Sequence, residues 1–344
     1  MNTSVRTLED KKILFISVKF FNYEDIIKTQ LENLGAEVDW FDERPSNTVF
    51  TKAMIRVNKK LISTSINDYF KKVIEKIIHK KYDYFILFKG EATPKFFIEF
   101  LKENNPEIKL VFYTWDSFAN NNNGLEIMDL FDRKFTFDPQ DAKKYNIGFR
   151  PLFFAQNYAK LYEDKKAFKY DLAFIGTAHS DRYLITEKIR DWCVKNGIRL
   201  FTFYFSPSKI LFKFKKITTK EFKLFDENKI AYNCLGHQEI INIYAHAKVV
   251  LDINHPGQKG LTMRTFESLG AGRKLITTNP EIRKYPFYNQ DNICVIDRKN
   301  IVLNTNFFKT EFIPLEKGLL ESMSLKGMLE EILGLTENHY WENV

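Results

Sequence analysis

INHPGQKGLTMRTFESLGAGRKLITTN, Ile253 to Asn279, joins the end of one apolar run, KVVLDIN (Lys248 to Asn254), to another, KLITT (Lys274 to Thr278). Both runs have the β-branched content of buried strands. Between them a glycine-containing loop, His255 to Gly260, leads into a helical pattern from about Leu261 that stops at Gly270, Ala271 and Gly272. Those small residues let a helix end close against the next strand. A helix start presents unpaired N–H groups and the positive end of a dipole, which suits a phosphate, and Gly260, Leu261 and Thr262 occupy that start. Arg264 lies in the first turns, where its planar guanidinium can grip a diphosphate. Glu267 falls three residues later on the same side, where a carboxylate can accept both hydroxyls of a ribose. The plainer alternative is an exposed Arg264–Glu267 ion pair, which contributes little; the flanking loop favours a ligand site. His255 suits either a hydrogen bond to that ligand or a cap on its own loop.

Outward from this segment the same alternation continues. In the N-terminal half, strands are expected at KILFISV (Lys12 to Val18), AEVDWFDE, YDYFILFKG (Tyr82 to Gly90), KLVFYTWD (Lys109 to Asp116), RKFTFD (Arg133 to Asp138) and FRPLFFA (Phe149 to Ala155). Helical periodicity separates them at YEDIIKTQLENLG, at Ile66 to Lys80 and after Thr93-Pro94. Residues 1–155 therefore form one α/β unit, 156–169 a polar linker, 170–314 a second unit, and 315–344 an amphipathic helical tail. In the second unit DLAFIG and RLFTFYF are expected strands, with helices at DRYLITEKIRDWCVKNG and EIINIYAHA. Strand–helix alternation implies parallel sheets covered on both faces, with ligands at the strand ends.

Several chemistries lack their residues. Neither half follows its first strand with G-x-G-x-x-G, so a dinucleotide cofactor is not expected. There is no G-x-x-x-x-G-K-[ST], no G-x-S-x-G, and no H-E-x-x-H or paired-cysteine metal pattern. No metal and no cofactor are expected.

GLTMRTFESLGAGRKLITTN, supported by AFIGTAHSDR and FYTWDS, resembles the donor-binding domain of GT-B glycosyltransferases. The resemblance is greatest to the group related to the spore-maturation protein CgeB and to capsule and lipopolysaccharide glycosyltransferases. It implies an α/β GT-B fold: two Rossmann-like domains facing across a cleft, with a C-terminal helix able to return to the first. It further implies a metal-independent enzyme that transfers sugar from a nucleotide-sugar donor, bound in the second domain, to a glycan or lipid-linked acceptor, bound in the first. Many GT-B families carry two glutamates in an E-x7-E arrangement on the donor helix. The second corresponds to Glu267, but Lys259 stands at the first, where a lysine could meet phosphate or an acidic sugar.

Other strand ends offer candidates. In FIGTAHSDRY, Gly176 ends a strand, Ser180 suits an N-cap and Arg182 a second phosphate contact, or else an exposed arginine at a turn. Trp115 and Asp116 end a strand of the first half, and Trp115 is a candidate acceptor-binding residue. Asp116 is the candidate general base on an acceptor hydroxyl, or alternatively a turn cap. Lys89, Gly90 and Glu91 could line the acceptor site or form a turn, and Asp138 ends a further strand.

The chain is 44% hydrophobic and 28% charged, as expected of a globular protein, and its net charge of +8 favours anionic partners. Its lysines are dispersed without a nucleic-acid-binding motif, so nucleic acid is not an expected partner. Cys193, Cys234 and Cys294 sit in or beside apolar segments and are expected as buried free thiols in a reducing compartment. The N-terminus lacks a secretory apolar core, and a cytoplasmic protein is expected. In SPSKILFKFKKITTKEFK (Ser206 to Lys223), lysines alternate with Ile210, Leu211, Phe212 and Phe214. That pattern fits peripheral contact with the inner membrane surface, or a solvated helix whose lysines cover apolar surface. A non-catalytic protein that binds sugar nucleotide or glycan is the competing function.

Overall fold

The computed structural model describes residues 8–163 and 167–344. Residues 1–7, part of the N-terminal stretch, and 164–166, within the expected linker, lie outside the described residues. The chain divides into two compact units. One runs through Leu152 and takes in Leu325–Glu342; the other is Phe153–Ser324.

The first unit opens with β1 (Lys12–Ser17), α1 (Tyr23–Asn33), β2 (Glu37–Asp42), α2 (Val49–Asn58), α3 (Ser63–Ile77) and β3 (Tyr84–Phe88). It continues with α4 (Lys95–Asn104), β4 (Lys109–Thr114), β5 (Arg133–Thr136), α5 (Pro139–Tyr145) and β6 (Gly148–Phe149). The second unit begins with α6 (Gln156–Glu163), β7 (Tyr170–Thr177), α7 (Arg182–Lys195), β8 (Leu200–Phe205), α8 (Lys209–Thr218) and β9 (Ile230–Ala231). There follow α9 (His237–Ala245), β10 (Ala247–Asp252), α10 (Met263–Gly270), β11 (Lys274–Thr277), β12 (Ile293–Val295), α11 (Thr305–Lys309) and α12 (Lys317–Met323). The last helix, α13 (Leu325–Ile332), belongs to the first unit.

Each unit has one six-stranded sheet, and every strand pair in both is parallel. Parallel strands buried on both faces need continuous apolar runs, and YFILF of β3 is buried at every position. The helices cover them by one face: Ile66, Phe70, Val73 and Ile77 of α3 are buried at helical spacing. The first sheet runs β2-β1-β3-β4-β5-β6 and the second β12-β11-β10-β7-β8-β9. The strand order therefore reverses between β1 and β3 in one unit, and between β7 and β10 in the other. Such switch points open a crevice at the strand C-termini, because the flanking connections leave to opposite sides.

Four expectations change. FRPLFFA pairs only through β6, since Pro151 has no N–H for a ladder; Phe154 instead makes an isolated bridge to Ser324. The polar stretch after Ala155 starts as helix α6, whose Tyr158 and Leu161 are buried. The tail is two helices, broken at Ser324. Among the cysteines Cys193 is buried and Cys294 half-buried, but Cys234 is exposed in the loop between β9 and α9.

A buried ion pair ties α13 into its unit: Arg150, 0% exposed, places Nε 2.7 Å from Glu331 Oε2. Arg133 Nε donates to the Ile332 carbonyl at the helix C-terminus (2.8 Å), where the last carbonyls lack intrahelical donors.

Candidate functional site

In the second unit the switch point lies between the loops that follow β7 and β10. Asp252, the last residue of β10, is 1% exposed, and its Oδ2 accepts the hydroxyls of Thr262 (2.7 Å) and Thr265 (3.3 Å). These bonds pin the start of α10 to the strand end. Thr262 is the N-cap residue, yet its hydroxyl is committed to Asp252 and no side chain caps the helix. The first N–H groups of α10 thus keep their capacity for an anion. Asn254 secures the intervening loop: its Nδ2 donates to the Gln258 carbonyl (3.0 Å) and its Oδ1 accepts the Thr278 hydroxyl (2.8 Å). His255 is exposed and its Nδ1 accepts the Gly257 N–H (3.3 Å), so it caps its own loop.

Three arginines converge here. Arg182, 8% exposed, donates from Nε to the Ile253 carbonyl (2.6 Å). Arg298, just beyond β12, donates from Nη1 to both Asp181 oxygens (2.8 and 2.9 Å) and from Nη2 to Asn254 Oδ1 (2.6 Å). Arg264 is half-buried in the first turn of α10. Burial, then the charges of Arg264 and Arg298, push the Arg182 pKa down to about 10. His179 is pushed down to about 3 by burial and then by Arg182 and His255, so its imidazole is neutral at pH 7. For Arg264, burial pulls the pKa down, but Tyr244, Asp252 and Glu267 outweigh it and the net shift is upward. Arg182 therefore bears the repulsion of its neighbours in a partly desolvated crevice, a condition that a bound anion relieves.

The exposed-pair alternative for Arg264 and Glu267 is overturned, because Glu267 is 6% exposed. Arg182 is likewise not an exposed turn arginine. Ser180 is not the N-cap: it adopts a left-handed φ of 49° with its hydroxyl 3.0 Å from His179 Nδ1, and Asp181 stands at the cap position of α7. The donor-helix pattern begins later than Leu261, at Met263; Gly260 and Leu261 are buried in the loop ahead of it. Lys259 also lies in that loop, 45% exposed at its side chain, with Nζ 3.8 Å from Glu281. Gly176 is the penultimate residue of β7. At the far end of α10 the small-residue expectation has a physical basis: a Cβ on Gly270 would fall 2.3 Å from the Phe154 ring.

In the first unit, the loops after β2, β3 and β4 carry the candidates. Lys89 adopts φ 89° and places Nζ 2.6 Å from Glu91 and 3.9 Å from Asp116. Arg44 forms a second, buried ion pair with Glu91. Burial works against ionisation of Glu91, but Lys89 and Arg44 outweigh it and hold its pKa down. Glu43 is 0% exposed; its Oε1 accepts the N–H groups of Ala92 (2.8 Å) and Thr93 (3.0 Å) and the Thr93 hydroxyl (3.1 Å). Burial and then the Glu91 charge push its pKa up to about 7. Glu43 thus positions the turn that holds Lys89.

Asp116 does not act as a turn cap. The Thr114 hydroxyl holds its backbone (2.8 and 3.2 Å), while the carboxylate, about a third exposed, accepts one long bond from Asn120 Nδ2 (3.4 Å). Asp138 does cap a helix: it accepts the Gln140 N–H (2.9 Å) at the start of α5 and is 5% exposed. His179, Asp252, Arg298, Glu43 and Arg44 were missed in the sequence. All five end a strand or follow one within three residues, and that position was the available signal.

Neither a protein-family model nor a curated protein matches the chain. Solved structures match nearly all of it. An alpha-glucosyltransferase in complex with UDP and a 13-mer DNA is 12% identical, with 96% of each chain covered and a TM-score of 0.56. Anabaena Alr3699/HepE, in complex with UDP and glucose, is 11% identical over 94% of this chain and 98% of its own, with a TM-score of 0.56. UDP-GlcNAc 2-epimerase of Methanocaldococcus jannaschii, in complex with UDP-GlcNAc and UDP, is 12% identical over 94% and 100%, with a TM-score of 0.52. At such identities the likeness is one of fold: the two parallel six-stranded sheets with flanking helices form the two-domain, Rossmann-like GT-B architecture that the motifs implied.

Proposed function

We propose that the chain is a glycosyltransferase that moves a sugar from a nucleotide-sugar, UDP-linked in the first instance, to a glycan or lipid-linked acceptor of the cell surface. The observation that carries this is the convergence of Arg182, Arg264 and Arg298 beside the uncapped start of α10. A diphosphate has the charge and size for it. UDP is favoured because all three neighbours above were solved with it. Glu267 accepts the ribose hydroxyls, and Lys259 remains available to an acidic sugar.

In the reaction an acceptor oxygen bonds to the anomeric carbon as the bond from that carbon to the diphosphate oxygen breaks. Arg264, Arg182 and the α10 N–H groups stabilise the charge that builds on the leaving diphosphate. Asp116 takes the acceptor proton if configuration inverts, and binds acceptor only if it is retained. A thermal-shift screen with UDP-, GDP-, CMP- and dTDP-sugars tests the donor assignment. At about a hundredfold excess over Kd a true donor adds about 2.7 kcal/mol, a shift of several degrees. No shift with any of the four would overturn the assignment. Stabilisation without transfer to any acceptor favours the binding-protein alternative, and an altered free UDP-sugar points to an epimerase.

The acceptor's membrane location finds support in α8. Ile210, Phe214 and Ile217 are 84, 62 and 77% exposed, interleaved with exposed Lys209 and Lys213. No helix among the described residues is long and apolar enough to cross a membrane. Apolar side chains among lysines suit an anionic bilayer surface at the cytoplasmic face. The full chain should float with phosphatidylglycerol-containing vesicles, and Phe214→Asp with Ile217→Asp should stay at the bottom of the gradient. Equal flotation of both proteins removes α8 from the account.

A further inference from the structure

We infer that Phe20 and Phe21, with Trp115, form a stacking platform for a pyranose ring of the acceptor, at the switch point of the first unit; this rests on the transferase assignment above. Both phenylalanines are 47% exposed. They follow β1, and Trp115 follows β4, at the strand ends where a crevice is expected. Their rings are ordered: Phe20 meets Phe21 edge-on (4.7 Å between centroids) and Trp115 at 6.0 Å, and Trp115 stands perpendicular on the buried ring of Phe88 (5.4 Å).

The backbone is bent to display them. Phe21 and Asn22 adopt φ 49° and 66°, a region that side-chain-bearing residues seldom enter and that clusters at functional sites. The Phe20 N–H is fixed by Glu24 Oε2 (3.0 Å).

The surroundings choose the occupant. Next to Trp115 in the chain is Asp116, whose carboxylate lies 3.9 Å from the Lys89 ammonium and accepts from the Asn120 amide. A pyranose has a face of C–H bonds for the rings and equatorial hydroxyls for an acid, an amine and an amide. An acyl chain would displace water from those polar groups and offer no hydrogen bond in return.

The test is saturation-transfer NMR on the full chain with lactose, maltose, cellobiose, chitobiose and mannobiose. At least one should bind at millimolar concentration, with saturation strongest on the C–H protons of one ring face. Phe20→Leu should weaken it about tenfold, roughly the worth of one stacked ring, while Phe20→Tyr stays within about twofold. If Phe20→Leu does not fold, Trp115→Leu takes its place with the same expectation. Failure of all five sugars to bind overturns the platform, as does wild-type affinity in the leucine variant. Competition of the sugar by uridine at this site also overturns it, in favour of a nucleobase. The thermal shift with UDP is a separate readout: its absence in the wild type sinks the transferase assignment, whatever the disaccharides do.

Discussion

Arg264→Met is expected to remove the thermal shift given by the donor nucleotide and to lower kcat/KM at least about a hundredfold. Methionine fills the space of the side chain but carries no charge and no donors. A guanidinium gripping a diphosphate makes charge-assisted, bidentate bonds in a partly desolvated crevice, and losing such a group costs roughly 3 kcal/mol or more in the transition state. The variant also leaves Asp252 and Glu267 buried with less positive charge nearby, so the unliganded protein should melt lower than the wild type. Arg264→Lys separates the two contributions. It retains charge for Asp252 and Glu267 but loses the fork, so melting should recover while kcat/KM stays about tenfold down. A nucleotide shift and turnover in Arg264→Met within threefold of wild type would show that the diphosphate binds elsewhere.

Asp116→Asn is expected to lower kcat about a thousandfold, within the range for loss of a general base, while the donor thermal shift is preserved. The substitution is nearly isosteric, and the Thr114 hydroxyl holds the backbone rather than the side chain, so the loop geometry should persist. Asn120 can still donate to the amide oxygen. The comparison is made at saturating donor, with product anomers identified. A thousandfold loss with inversion supports Asp116 as the base. A loss confined to acceptor KM makes it a binding residue, and a rate within tenfold of wild type removes it as the catalytic base.

These two residues were legible by different routes. Arg264 could be found because a strand, a glycine loop and a helix start are local events, written in consecutive residues. Asp116 could be found because it ends an apolar run. The same logic would have picked Arg298, just beyond β12, and Glu43, the last residue of AEVDWFDE, but no local motif marks either. Glu43 in particular looks like an ordinary surface acid. Only the fold brings it beneath the 91–93 turn, where lost solvation and the Glu91 charge raise its pKa to about 7. Ser180 was misjudged as a cap because composition does not reveal backbone sign; its left-handed φ hands the cap position to Asp181.

The alternation of apolar runs with helical periods by itself determined two parallel α/β units, because strands buried on both faces leave little choice of residue. It also marked the strand ends as the places for ligands. What only the tertiary structure decided is the electrostatics of those places. Arg182, Arg264 and Arg298 lie up to 116 positions apart in sequence, and their mutual repulsion appears only when β7, β10 and β12 share one sheet. Phe20 and Trp115 likewise meet at 6.0 Å only because β1, β3 and β4 are laid side by side. Periodicity is a property of neighbours along the chain; charge density and ring stacking are properties of neighbours in space.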